Sequence, residues 1–543
     1  MLNYFNVRRG LILAAWLGMV FSQHVLAQQK SLTRQYDPII ASVGRLLPLA
    51  NDSIGIYTAY GFINGEFKRS RFQIDELNAR GELEVKDGIA DDNDEAIFMP
   101  GGVGDRAPTD KWVDGSDNTR IELEVTDPIN NEKGWLYLFQ HVKNPPALAS
   151  HIRYTADPNA RGADMVEGES YSEGHENTGW FTDIRIKAPF GNGQDILDRL
   201  KVRVQGTFVI FGVPVPLTLK EDALQFVSVS FSGGAVRGFR EISLNISVAG
   251  QNLPATFSTQ YLPYSTVFGA KNATIPVVSG LTVTEIRQSV DFSANASGMT
   301  FSNAFNRNGF PVDGTPDSPV GTILDRSNTN PADSLNWFMV KGSPGAFLVL
   351  LSVPVLGAQR TLYYKDNSAN DNNDTGDLKS YGDSGLLVTS TANITGSLSF
   401  NSTTYYLGNS LPANIGDQVK EQTLKPAQVT AAEQTRTVTA VNEDALQPAD
   451  FRLDEARPNP FAPREGSVQI GFDLGRTNLR PGLRIFNLLG QEVARFDAAD
   501  LLRSQTVLWD GRDRFGRLVP AGIYFYELTV GRQRAVKKLI LLR

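Results

Sequence analysis

Gly382-Asp383-Ser384-Gly385 sets a serine between glycines, a pattern that lets a nucleophilic hydroxyl sit beside an oxyanion hole. Such a serine needs a base, and beyond the first thirty residues the histidines are His141, His151 and His175. Histidine before serine suits acyl transfer, but no Gly-x-Ser-x-Gly elbow accompanies it. A turn into a strand starting near Leu386 explains the same four residues without chemistry. Two acidic stretches, Asp87–Glu95 and Asp371–Asp377, offer the carboxylate and amide oxygens that calcium prefers. In the second, Asp371, Asn373 and Thr375 before Gly376 copy the opening of an EF-hand loop, but its twelfth position is Gly382, where a bidentate glutamate is required. His175-Glu176 lies in the polar stretch Tyr171–Asn177, read as a loop; with no second histidine at ligand spacing and no cysteine in the chain, zinc is not expected. Trp112, Trp135, Trp180 and Trp337 could stack on sugars, although tryptophan in a β-sandwich belongs more often to the core. Paired carboxylates for glycoside hydrolysis depend on separation in space, which sequence spacing does not decide. No residue is therefore singled out as catalytic, cofactor-binding or metal-ligating, and no cofactor is expected; calcium is the one ion whose ligands the loops offer.

The elements that would position these residues are strands. Ile121, Leu123 and Val125 alternate with Glu122, Glu124 and Thr126, the period of a half-buried antiparallel strand. Val202–Val215 reads as two strands broken at Gly206, Leu224–Val248 as two strands reversing at Ser232-Gly233-Gly234, and Phe347–Val355 as one fully apolar strand. Gly385–Leu407 gives at least two more. Helical periodicity is confined to Asp195–Leu200 and Ala498–Arg503. The fold class is all-β: a large antiparallel β-sandwich body followed by a second, smaller sandwich.

The ends and the charge divide the chain. Arg8 and Arg9, the apolar run Gly10–Phe21 and Val25-Leu26-Ala27 form a secretory signal peptide over residues 1–27. The apolar run is shorter than the ~20 residues that span a bilayer, so a cleaved signal is expected and not an anchor. Residues 28–165 form a β-rich segment and 166–407 a β-sandwich, as one domain or two, with the turn-rich stretch Thr155–Gly179 as the best break. Residues 408–449, poor in large apolar side chains, read as an extended linker to a domain over 450–543. The net charge of −7 is unevenly spread: Phe451–Arg543 carries 16 Lys+Arg against 10 Asp+Glu, or +6, and the signal carries +2, leaving −7 − 6 − 2 = −15 on the rest. So acidic a body does not attract phosphate backbones, and nucleic acid is not expected as a partner.

The last domain is the most informative. Pro458-Asn459-Pro460-Phe461, Ile485-Phe486-Asn487-Leu488-Leu489-Gly490-Gln491-Glu492-Val493, Trp509-Asp510-Gly511-Arg512-Asp513, Pro520-Ala521-Gly522-Ile523-Tyr524-Phe525-Tyr526 and Lys537-Lys538-Leu539-Ile540-Leu541-Leu542-Arg543 follow in order among about seven strands. These blocks resemble the C-terminal sorting domain of type IX secretion cargo, a relative of the immunoglobulin-like domain of the flagellar hook-capping protein. The resemblance implies passage through the periplasm of a diderm bacterium, recognition by outer-membrane secretion machinery, and a secreted or cell-surface destination with attachment to surface lipopolysaccharide. More faintly, Phe72–Glu76 followed by Asp91–Met99 resembles a segment of uncharacterised secreted bacterial proteins, and the long strands with blocks such as Val236–Arg240 resemble the large β-sandwiches of polysaccharide-handling enzymes and their binding modules. The expected function is that of an exported protein with a non-catalytic structural or adhesive body; the alternative is a body that binds or degrades polysaccharide on a super-sandwich scaffold.

Overall fold

The computed structural model describes residues 28–543 except 51, 79–82, 84–86, 161, 249–250, 270–279, 318–334, 353–358, 370–378, 390–400, 437–450, 475–480, 489–490, 497, 514, 531–532 and 543. The expected signal peptide over residues 1–27 and the acidic stretch Asp371–Asp377 lie outside the described residues. The chain forms two compact units, Met1–Thr437 and Val438–Arg543. Among the described residues no helix is long and apolar enough to cross a membrane.

The first unit is built of antiparallel sheets, as the period-two patterning demands. Its N-terminal part pairs Lys133–Gln140 with Thr119–Thr126 on one side and Tyr57–Ile63 on the other, and sets a smaller sheet of Ile39–Ser42, Glu95–Phe98 and Phe72–Asp75 beside them. Ile121, Leu123 and Val125 point into the core these sheets share with Ile39, Leu136 and Leu138. Glu122 departs from the simple alternation: it is buried on the opposite face, accepting the Tyr137 hydroxyl at 2.9 Å and pairing with Arg106 at 2.8 Å. The larger part stacks a five-stranded sheet, with Leu197–Ile210, Leu281–Phe292 and Ser380–Thr389 at its centre, against a nine-stranded sheet that includes Gly238–Val248, Gln251–Tyr261, Gly345–Ser352 and Asn401–Leu407. One continuous core of Tyr171, Ile186, Phe292, Phe301, Phe347, Tyr364 and Tyr406 fills the interior.

Four expectations are corrected. Thr155–Gly179 is not a break between domains: Arg153–Ala156, Asp164–Glu167, Tyr171–His175 and Phe181–Ile186 make a four-stranded sheet through it. Asp195–Leu200 is not helical but leads into the strand Leu197–Ile210. That strand does not turn at Gly206, which sits at a bulge where a Cβ would lie 2.2 Å from the Thr282 carbonyl oxygen; the reversal comes at Phe211-Gly212. Residues 408–449 are not wholly a linker either: Ile415–Leu424 is a helix, and Gln428–Thr435 pairs along Thr119–Thr126, closing the N-terminal sheet. Ala498–Arg503 is helical as expected.

The second unit is a seven-stranded sandwich. Phe451–Leu453, Val468–Leu474 and Thr506–Trp509 form one sheet; Glu492–Phe496, Pro481–Asn487, Gly522–Val530 and Gln533–Leu541 form the other. Val468, Ile470, Phe472, Leu483, Ile485, Trp509, Tyr526 and Leu539 meet between them, an immunoglobulin-like core with no disulfide.

Candidate functional site

The residues singled out for chemistry are mostly absorbed by the fold. Ser384 lies within the strand Ser380–Thr389, fully buried, its Oγ donating to the Gly382 carbonyl at 2.5 Å. Each of the described histidines has a carboxylate of its own: His141 with Asp117 at 2.7 Å, His151 with Glu169 at 2.5 Å, and His175 with Asp164 at 2.7 Å. His175 is not in a loop but on a buried strand, so the polar appearance of Tyr171–Asn177 misled the reading. In the acidic stretch Asp87–Glu95, Asp94 accepts the Leu77 and Asp91 amides and Asp87 accepts the Ile89 amide, the capping use of short carboxylates in turns. Among the described residues no group of three or more potential ligands converges as a metal site.

Trp135 and Trp337 are core residues, and Trp180 packs beside Phe257. Trp112 differs. It lines a surface cleft of about 280 Å³ with Tyr60, Phe67, Glu66, Lys111 and Asp114. The Arg120 guanidinium, 4.7 Å from its ring centroid, holds the indole from behind.

The marker blocks of the second unit meet in a more definite arrangement. The Pro458–Phe461 block zips onto the last strand: Phe461 donates to the Ile540 carbonyl at 2.8 Å and accepts from the Leu542 amide at 2.7 Å, while Asn459 accepts the Ile540 amide and donates to the Lys538 carbonyl, both at 2.9 Å. The other three blocks converge on one groove of about 750 Å³, lined by Leu488, Glu492, Phe515, Leu518, Ile523 and Tyr524. Its walls are fixed by backbone-directed side chains. Asp513 accepts the Phe515 and Arg517 amides, each at 2.9 Å, and pairs with the Arg517 guanidinium; these bonds hold its carboxyl below the usual range. Gly516, at φ 77°, supplies the left-handed residue that this turn requires. Trp509 Nε1 donates to the Arg512 carbonyl at 2.8 Å, and the Tyr524 hydroxyl to the Pro520 carbonyl at 2.6 Å. On this rigid frame Leu488 is 65% exposed, Phe515 65% and Leu518 55%. Isolated apolar side chains on a surface are ordinary, but a contiguous cluster rimming a groove marks an interaction site. The sequence reading missed these residues individually. The available signal was large apolar side chains at turn positions, where turn chemistry calls for polar ones.

No family model and no curated protein matches the chain. Among solved structures the chain resembles a polysaccharide lyase (7% identity, TM-score 0.20, covering 73% of this chain and 47% of that one). It also resembles PorZ of Porphyromonas gingivalis, described as a surface component of the type IX secretion system (11%, TM-score 0.14, covering 72% and 51%). A third likeness is to dimeric latent PorU of the same organism (11%, TM-score 0.14, covering 83% and 42%). The chain spans about half the length, or less, of each of these proteins. Identities and scores this low carry no argument about function.

Proposed function

We propose that this chain is an exported surface protein whose immunoglobulin-like C-terminal unit is a sorting domain, read by outer-membrane secretion machinery of the type IX kind, and whose body is a structural or adhesive β-sandwich passenger. The observation that carries the reading is the meeting of three marker blocks on one exposed groove rimmed by Leu488, Phe515 and Leu518, while the remaining two blocks clasp each other to hold the domain shut. A domain that served only as a spacer would have no use for Leu488, Phe515 and Leu518 in solvent. Supporting the passenger role of the body is the burial of Ser384 and its tie to the Gly382 carbonyl, which leaves that hydroxyl without access to a substrate.

The test is export of the full chain in a host with type IX machinery. Leu488→Asp with Leu518→Asp puts two charges in the groove without touching the sandwich core. The fraction reaching the surface is expected to fall roughly tenfold or more, as for loss of a buried apolar anchor from an interface, with folded protein held in the periplasm. Deletion of Phe451–Arg543 should do the same. Normal surface delivery of both variants would reduce the unit to a structural module.

A second reading, supported by the Trp112 cleft, is that the body holds an extracellular glycan, its sugar ring packing against the half-buried Trp112 indole with Glu66, Lys111 and Asp114 within the cleft to meet hydroxyls. On an array of plant and bacterial glycans Trp112→Ala should weaken binding about tenfold. Failure of the unaltered chain to retain any glycan would sink this reading and leave the sorting proposal standing.

A further inference from the structure

The most anomalous surface of the body is the hairpin formed by Leu197–Ile210 and Val213–Leu219. From Val204 through Leu219 no residue is charged, and the tip reads Phe208-Val209-Ile210-Phe211-Gly212-Val213-Pro214-Val215. Its base is anchored: Leu217 and Leu219 pack against the cluster of Ile242, Leu244 and Phe257. Its tip is not. Val209, Ile210, Val213 and Val215 are exposed and Phe211 is wholly so.

Three further features bear on what covers it. First, the ribbon is apolar on both faces, because consecutive residues of a strand point to opposite sides and all of them here are apolar. A partner that contacts one face would leave the other in water; a medium that surrounds the tip would not. Second, Pro214 and Pro216 lie opposite Val209 and Thr207 on the outer strand of the sheet. Two residues apart, both would direct their N–H to the open edge, so the prolines remove two donors that a pairing strand would need and that lipid could not satisfy. Third, the two-residue turn has φ 49° at Phe211 and 81° at Gly212. A turn of this kind favours asparagine before glycine, and a bulky side chain in the left-handed region is unusual. The phenyl group at the apex is therefore held against local conformational preference, which directs attention to its use.

The geometry points to a shallow membrane anchor: the hairpin tip inserts into the interfacial region of a lipid bilayer. Pairing with Leu281–Phe292 ends at Phe208 and the Val209 amide still donates to the Gly280 carbonyl at 2.9 Å, so about two residues project beyond it, roughly 7 Å at strand rise. That matches the ~5–10 Å depth at which interfacial segments bury their apolar face and is far short of a ~30 Å span. With no charge at the tip, attachment should depend little on headgroup charge or salt.

Co-sedimentation of the full chain with phosphatidylcholine vesicles, with and without phosphatidylglycerol, tests this. Binding is expected to both vesicle types and to persist at high salt. Phe211→Asn, which suits the turn and leaves the fold intact, should lower the partition coefficient about tenfold. Phe211→Trp should be quenched by brominated acyl chains when vesicles are present. Absence of binding by the unaltered chain, equal binding by Phe211→Asn, or concentration-dependent self-association in ultracentrifugation that Phe211→Asn abolishes would each overturn the proposal, the last by assigning the tip to a second copy.

Discussion

Replacing Lys201 by methionine is expected to cost the body about 3–5 kcal/mol, the usual penalty for removing one partner from a buried charge cluster. Three neighbouring strands bring Lys201, Asp291 and Asp383 together with no access to water. The ammonium lies 2.6 Å from Asp291, 3.5 Å from Asp383 and 3.4 Å from the Ser380 hydroxyl. The ammonium faces both carboxylates, and its loss leaves these like charges close together in a medium that solvates them poorly. For a unit of about 400 residues the loss corresponds to a fall in Tm of about 5 °C. Neutralising the carboxylates as well, in Lys201→Met with Asp291→Asn and Asp383→Asn, should return most of the loss, because neither carboxylate is then left charged opposite the missing ammonium. Asp291 accepts the Tyr381 amide at 3.1 Å, and asparagine keeps that acceptor. A single variant melting within a degree of the parent would show that the cluster is hydrated or that its carboxylates bind protons at little cost.

This cluster also shows what the sequence could and could not convey. Gly382-Asp383-Ser384-Gly385 reads as a turn into a strand starting near Leu386 but lies inside the strand Ser380–Thr389, and the reason for Asp383 was not legible, because its cation lies on a strand far earlier in the chain. Strand patterning was legible where one face is apolar, as in Ile121, Leu123 and Val125, and the five blocks of the last unit were legible as a domain. Gln428–Thr435 was hidden because its inward positions include only Val429 and Ala431; it is a strand through its pairing with Thr119–Thr126, a contact across some three hundred residues. Tyr171–His175 was hidden for the opposite reason. Its buried side chains are polar, and they are tolerated by partners such as Thr266 and Tyr406 that only the fold brings near. The candidate groove was legible as motif and illegible as surface, since exposure of Leu488, Phe515 and Leu518 depends on which blocks meet.

The contribution of Glu173 to the body's stability should fall as pH rises from about 4.5 to 7, and Glu173→Gln should abolish that contribution. Glu173 is buried beside the stacked rings of Tyr171 and Tyr406, and burial pushes its carboxyl from 4.5 up to about 7, outweighing hydrogen bonds from Tyr406, Tyr261 and Thr266 and the attraction of Arg240. Between the two values the folded state holds a proton that the unfolded chain has released, so stability falls with rising pH. The whole ramp amounts to about 3 kcal/mol, complete above pH 7. His175, on the same strand, acts in the other direction. Burial lowers its pKa, against the pull of Asp164, so below about 6.5 the unfolded chain binds the extra proton and stability rises with pH. The two slopes oppose each other over the shared window, and the net profile of the parent is shallow. Glutamine keeps the acceptor that Tyr406 and Thr266 use and cannot ionise. Its variant should match the parent near pH 4.5, exceed it by about 3 kcal/mol at pH 8, and show the rising histidine slope uncovered. Urea midpoints from pH 4.5 to 8 would decide it: parallel profiles for parent and variant would mean that Glu173 stays ionised in its aromatic setting, with Arg240 and the tyrosine hydroxyls compensating its charge in full.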